Sequence, residues 1–146
     1  MSTSVYEKCK VFLKKYPYTI HWRLKKHAKV VQQHINDDEV VLFSFVGQMG
    51  ASIIQPFYTT IVVFTNKRML LGRSMFFGRS YYSSITPDML NDFEIMTNLL
   101  YGTVVMDTIK EHVIIGCLDK RSLIAVEDAL SKYMVNEKLK YLKKDL

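Results

Sequence analysis

The side chains able to do chemistry are few, and their spacing does not suit it. His27 and His34 stand seven residues apart on a stretch patterned as a helix, so both project from one side of it, with Asp37 just beyond. Helical metal pairs are usually three or four residues apart; this one spans two turns. The sequence therefore predicts surface or half-buried histidines here, as for His21 and His112, and neither metal nor cofactor. Cys117 and His112 are five residues apart on one predicted strand, which points them to opposite faces and argues against a Cys/His nucleophile pair. Cys9 and Cys117 are the two cysteines, with no C-x-x-C spacing, and read as reduced, buried thiols. Asp37-Asp38-Glu39 reads as a solvated turn at a helix-to-strand junction. Gly47-Gln48-Met49-Gly50 fits neither the phosphate-binding nor the dinucleotide-binding glycine pattern, and there is no G-x-S-x-G. No catalytic set can be assembled, so the expectation is a protein that is not an enzyme.

One stretch suggests binding rather than reaction. Arg73-Ser74-Met75-Phe76-Phe77-Gly78-Arg79 places two aromatics and a methionine, flanked by arginines, in a predicted exposed turn. An apolar patch with a basic rim marks a contact surface unless it folds back over its own domain.

The elements that must position this turn follow from patterning. Ser4-Val5-Tyr6-Glu7 has the form of a capping box, and Val5, Cys9, Phe12, Leu13 and Tyr16 recur at helical spacing up to Pro17. A second helix is predicted from about 20 to 35, with Leu24, Ala28, Val31 and Ile35 on one face. Trp22, the single tryptophan, is expected to pack in the core or between helices. Seven short strands are then predicted, at 39–47, 58–65, 67–73, 79–84, 89–96, 103–108 and 111–117. The second and third are joined by Thr65-Asn66-Lys67-Arg68, where Asn66 is expected to take a positive φ. From Asp119, a capping type, Leu123, Val126, Leu130, Tyr133 and Met134 return to helical spacing, and Lys138, Lys140, Lys143 and Lys144 follow near the helix end. The fold class is α+β, mainly β: an antiparallel barrel of seven strands closed by a carboxyl-terminal helix, with two helices before it.

A chain of 146 residues, 49% apolar, suits one domain with its own core. Residues 1–36 read as a helical extension and 37–146 as the barrel with its closing helix. No apolar run reaches the ~18 residues of a membrane span, and the first ten residues lack a secretory signal's apolar core, so a cytoplasmic setting is expected. Residues 1–35 hold eight basic groups against Glu7 alone. Lys8, Lys14, Lys15, Lys25, Lys26 and Lys29 are a candidate basic surface, for which an anionic membrane or nucleic acid are the alternative partners.

The segments DEVVLFSFVG at 38–47, IVVFTNKRMLL at 61–71 and RSYYSSIT at 79–86 resemble, in type and order, the bacterial pleckstrin-homology-like group typified by the YokE-like domain. The resemblance covers roughly 36–135, with Asp38 where glycine is common in the group. It implies a binding module without catalysis, whose loops after strands one, three and six meet at one end. Those loops would join Ile53, Ile54, Met75, Phe76 and Phe77 to Met49, Phe57 and Ile109, with Arg73, Arg79 and Lys110 around them. The first of them, QMGASIIQPF, has no basic residue, which argues against the inositide recognition familiar in eukaryotic relatives. The expected partner is a protein or a second copy of this chain, by default in a two-fold dimer.

Overall fold

The computed structural model describes residues 4–50 and 56–144, with side chains described through residue 135. Ser4 caps α1 (Val5–Lys15) by accepting the Glu7 backbone N–H at 3.1 Å, and Tyr16 closes it with an N–H to the Phe12 carbonyl at 2.9 Å. α2 spans Leu24–Gln32, four residues shorter at its start than its pattern predicts. The reason is tertiary. The Ile20 N–H donates to the Cys117 carbonyl at 3.0 Å, its carbonyl accepts from Gln48 Nε2 at 3.3 Å, and the Trp22 N–H donates to Thr59 Oγ1 at 3.0 Å. Backbone groups already spent on three strands cannot also close a helical turn. Trp22 itself is 38% exposed, so of its two expected settings, core or between helices, it does not take the core.

The strands are β1 (Val41–Met49), β2 (Thr59–Thr65), β3 (Met69–Ser74), β4 (Ser80–Ile85), β5 (Leu90–Thr97), β6 (Gly102–Thr108) and β7 (His112–Leu118), and α3 runs Leu123–Lys144. They form one antiparallel sheet in the order β4-β3-β2-β1-β7-β6-β5. The sheet curls into a half-barrel with β4 and β5 as its edges, and α3 lies beside β5. Each predicted strand is present, displaced by one or two residues. β1 runs past its predicted end, so Gln48 and Met49 belong to the sheet and not to the loop.

The core is built by position. All seven residues of β2 are buried, which requires cover on both faces of that strand. Phe45, Ile61, Leu70, Leu71, Ile85, Met106, Ile115 and Leu130 are sealed completely. The extension is part of this packing: α1 lies against β1 through Cys9 and Ser44, and α2 against β3. The second contact leaves no room at Gly72, where a Cβ would come 2.6 Å from a Val31 methyl. Both cysteines are free and buried, and burial pushes the Cys9 thiol up to about 12.

The β2–β3 turn corrects one sequence expectation. Among the described residues only Arg23, Phe77 and Cys117, besides two glycines, have positive φ; Asn66 does not. Thr65 Oγ1 instead accepts the N–H groups of Lys67 and Arg68, both at 3.1 Å. Asn66 faces the start of β1, its Oδ1 accepting the Val40 N–H at 2.8 Å and its N–H donating to the Val40 carbonyl at 3.1 Å.

Candidate binding surface at the open end

The tip of the β3–β4 hairpin is an exposed aromatic pair. Phe77 is 98% exposed and Phe76 55%. Phe77 also has φ 58° and ψ 38°, a left-handed conformation that glycine adopts freely and an aromatic residue does not. Gly78 follows at φ 72°, and the Met75 N–H closes the turn on the Arg79 carbonyl at 2.8 Å. Met75 is half-buried, Arg79 exposed.

Beneath the tip, the hairpin is fastened to α2 and to the short 3-10 turn Pro56–Tyr58. His27, completely buried, accepts the Ser74 N–H on Nδ1 at 2.8 Å and donates from Nε2 to the Pro56 carbonyl at 2.9 Å. Its neighbours fix it as the neutral imidazole: burial holds its pKa below the ordinary 6.5, and the Arg23 and Arg73 charges act in the same direction. The sequence had suggested a surface or half-buried histidine; the structure places it in the fastening. His34 is exposed and stacks on Tyr82 at 3.6 Å, so the two histidines of the metal alternative have separate surroundings. Among the described residues, no group of three or more His, Cys, Asp or Glu could hold a metal.

Arg73 is a wall of the site more than a rim. Its Nη1 donates to the Phe57 carbonyl at 2.9 Å, and its guanidinium lies 4.7 Å from the Tyr58 ring centre and 5.7 Å from that of Tyr81. Burial pulls its pKa below the ordinary arginine value. Arg23 covers the Phe57 ring at 4.2 Å, and Phe57 meets Phe76 at 3.8 Å between centroids. The β6–β7 turn joins across β4: Tyr81 donates its hydroxyl to Glu111, and Lys110 Nζ donates to the Ser84 carbonyl at 3.0 Å. Ile109 beside it is 67% exposed. The structure thus brings together Arg73, Met75, Phe76, Phe77 and Arg79, whereas Lys110 reaches Ser84, opposite Leu70 and away from the tip. Ile53 and Ile54 lie outside the described residues. Sequence reasoning missed Arg23 and His27; both belong to a helix start whose place is set by contacts distant in sequence.

The basic residues of the extension are arranged separately. α1 and α2 pack side by side, with the Val5 N–H donating to Gln32 Oε1 at 2.8 Å. Lys14, Lys15, Lys25, Lys26 and Lys29 are exposed on them, and Lys8 is half-buried. Among the described residues, no helix is long and apolar enough to cross a membrane.

Comparison with known proteins agrees with this architecture. Residues 35–132 match the family model described as Bacterial PH domain. Among solved structures, the pleckstrin homology domain from Shewanella amazonensis SB2B is similar at 17% identity and TM-score 0.50, over 72% of this chain and 92% of that one. A DUF1696 family protein with a pleckstrin-homology domain from Shewanella loihica PV-4 is similar at 15% identity and TM-score 0.45, over 68% and 85%. No curated protein matches. A half-barrel of seven antiparallel strands closed by a helix, and a family match over two thirds of the sequence, establish that the chain belongs to the bacterial PH domain family.

Proposed function

We propose that this domain is a non-enzymatic interaction module that docks a polypeptide on the tip of its β3–β4 hairpin. One observation carries the reading: Phe77 is almost fully exposed and also left-handed. Exposing a phenyl ring forgoes burial, and a non-glycine residue in the left-handed region costs about 1–3 kcal/mol. Among the described residues neither cost is repaid: the ring contact of Phe77 is with Phe76, at 6.4 Å between centroids. Aromatic side chains are enriched at protein interfaces. Membership in a family of PH-like domains, which generally bind rather than catalyse, points the same way.

The test is selection of random peptides on the wild-type domain, followed by titration against Phe77→Ser. Selected peptides should weaken at least about tenfold on the variant, since anchor residues contribute about 2 kcal/mol or more. Equal binding to both would refute the reading. Light scattering of wild type against Phe76→Ser/Phe77→Ser asks whether a second copy is the partner: a dimer reduced to monomer assigns it, and a monomer in both assigns a different protein.

A second reading rests on the lysines exposed along the paired α1 and α2. Each would contribute about 1 kcal/mol beside an anionic membrane. Vesicle flotation with Lys14, Lys15, Lys25 and Lys26 changed to Gln tests it; unchanged flotation, or none with the wild type, would exclude that surface.

A further inference from the structure

Two arginines under the aromatic tip have no counter-charge among the described residues. Arg23 Nη1 and Arg73 Nε are buried polar atoms without a hydrogen-bond partner among the described residues. Neither arginine takes part in an ion pair among the described residues. They meet at the same place, Arg23 over the Phe57 ring at 4.2 Å and Arg73 on the Phe57 carbonyl at 2.9 Å, and both act electrostatically on His27. His27 cannot serve them, because both its nitrogens are engaged with backbone. Arg23 is moreover the residue before α2, at φ 52°, and that helix begins without a side-chain cap or an acidic residue in its first turn. Its amino end therefore adds positive potential of the same sign. Both arginines are half-buried, and an unpartnered buried donor nitrogen calls for an explanation.

We infer that a carboxylate of the docked polypeptide pairs with Arg23 and Arg73 while its apolar neighbours lie on Phe76 and Phe77, so that the partner is an acidic segment interspersed with apolar residues. The inference rests on the proposed peptide-docking tip and adds the partner's chemistry to it. Guanidinium groups are planar donors matched to carboxylate oxygens, and desolvated pairs gain most from that match. Charge complementarity favours an acidic over a neutral segment, because Arg79, exposed at the same tip, adds a further positive charge. Arg23 and His27 precede residue 35, so this arginine pair is not carried by the family-matched segment alone.

The peptides selected on the wild-type chain provide the test. They should be enriched in Asp or Glu next to apolar residues. Titrated against Arg23→Gln, they should bind at least about tenfold more weakly, as expected for a charge-assisted contact. Changing the peptide's acidic residue to its amide should cost a similar factor on the wild type and much less on Arg23→Gln. Without peptide, Arg23→Gln should melt no lower than the wild type, because an unpaired charge is removed. A lower melting temperature, together with unchanged peptide binding, would assign Arg23 a structural role and overturn the inference. Selected peptides without acidic residues would also overturn it, as would saturable binding of inorganic phosphate or acidic vesicles that depends on Arg23 in place of peptide binding. Peptides that respond to Phe77→Ser but not to Arg23→Gln would leave the docking tip standing and remove only the carboxylate pairing.

Discussion

Arg68 grips Glu39 with two hydrogen bonds, Nε to Oε2 at 3.1 Å and Nη2 to Oε1 at 2.7 Å, and the Glu39 side chain is fully buried. Thr65 Oγ1 and the Asn36 N–H complete the carboxylate's partners, while Arg68 also reaches the His34 carbonyl, Tyr82 and Ser84. One ion pair thus ties the end of the extension to β2, β3 and β4. Glu39 therefore belongs to a structural node, and the solvated turn expected from the acidic run describes only Asp37 and Asp38, both exposed.

Removing one partner strands the other. Arg68→Ala should destabilise by about 3–5 kcal/mol, as expected when a buried pair is broken from one side. Arg68 hydrogen bonds hold the Glu39 carboxyl down to about 2 from its ordinary 4.5. A depressed carboxylate contributes stability that is complete above 4.5 and lost as pH falls through about 2. Urea unfolding of the wild type and Glu39→Gln between pH 5 and 2 measures this: the variant's stability should fall less across that interval.

Asn66 supports a pairing with Val40 and not a left-handed turn. Asn66→Ala and Asn66→Gly should each cost about 1 kcal/mol for the lost side-chain hydrogen bond, with Gly no better than Ala. Thermal unfolding of the two variants distinguishes these accounts, since a positive φ at this position would make Gly clearly the better replacement.

His27 should confer acid sensitivity on the open end. Protonating it would place an N–H against the Ser74 N–H and a third cation beside Arg23 and Arg73. Because its pKa is depressed on folding, its contribution is complete above 6.5 and lost as pH falls below that value toward the folded one. His27→Gln should destabilise the neutral-pH protein by about 1–3 kcal/mol and flatten the loss of stability between pH 7 and 5. A wild type and variant with parallel pH profiles would contradict this role.

The order of elements was legible in the sequence because each is locally patterned: alternating Val and Phe in β1, helical spacing in α1 and α3, and turn residues between strands. The tip was legible too, since Met75-Phe76-Phe77 sits between two strand patterns where apolar residues are out of place. What escaped was set by contacts between distant segments. Nothing near Ile20 announces that its backbone is claimed by Cys117 and Gln48, or that α2 consequently begins at Leu24. Nothing near His27 announces Ser74, 47 residues away. Glu39 and Arg68 looked like parts of two separate turns for the same reason.

The central claim is that Phe77 is held exposed and left-handed for a partner at the domain's own expense. Phe77→Gly tests it by two readings on one variant, melting temperature and affinity for peptides selected on the wild type. Relief of the left-handed strain should leave the variant at least as stable as the wild type, or up to about 1–3 kcal/mol more so, while peptide affinity falls at least about tenfold. A variant that melts lower and binds the same peptides with unchanged affinity would contradict the account.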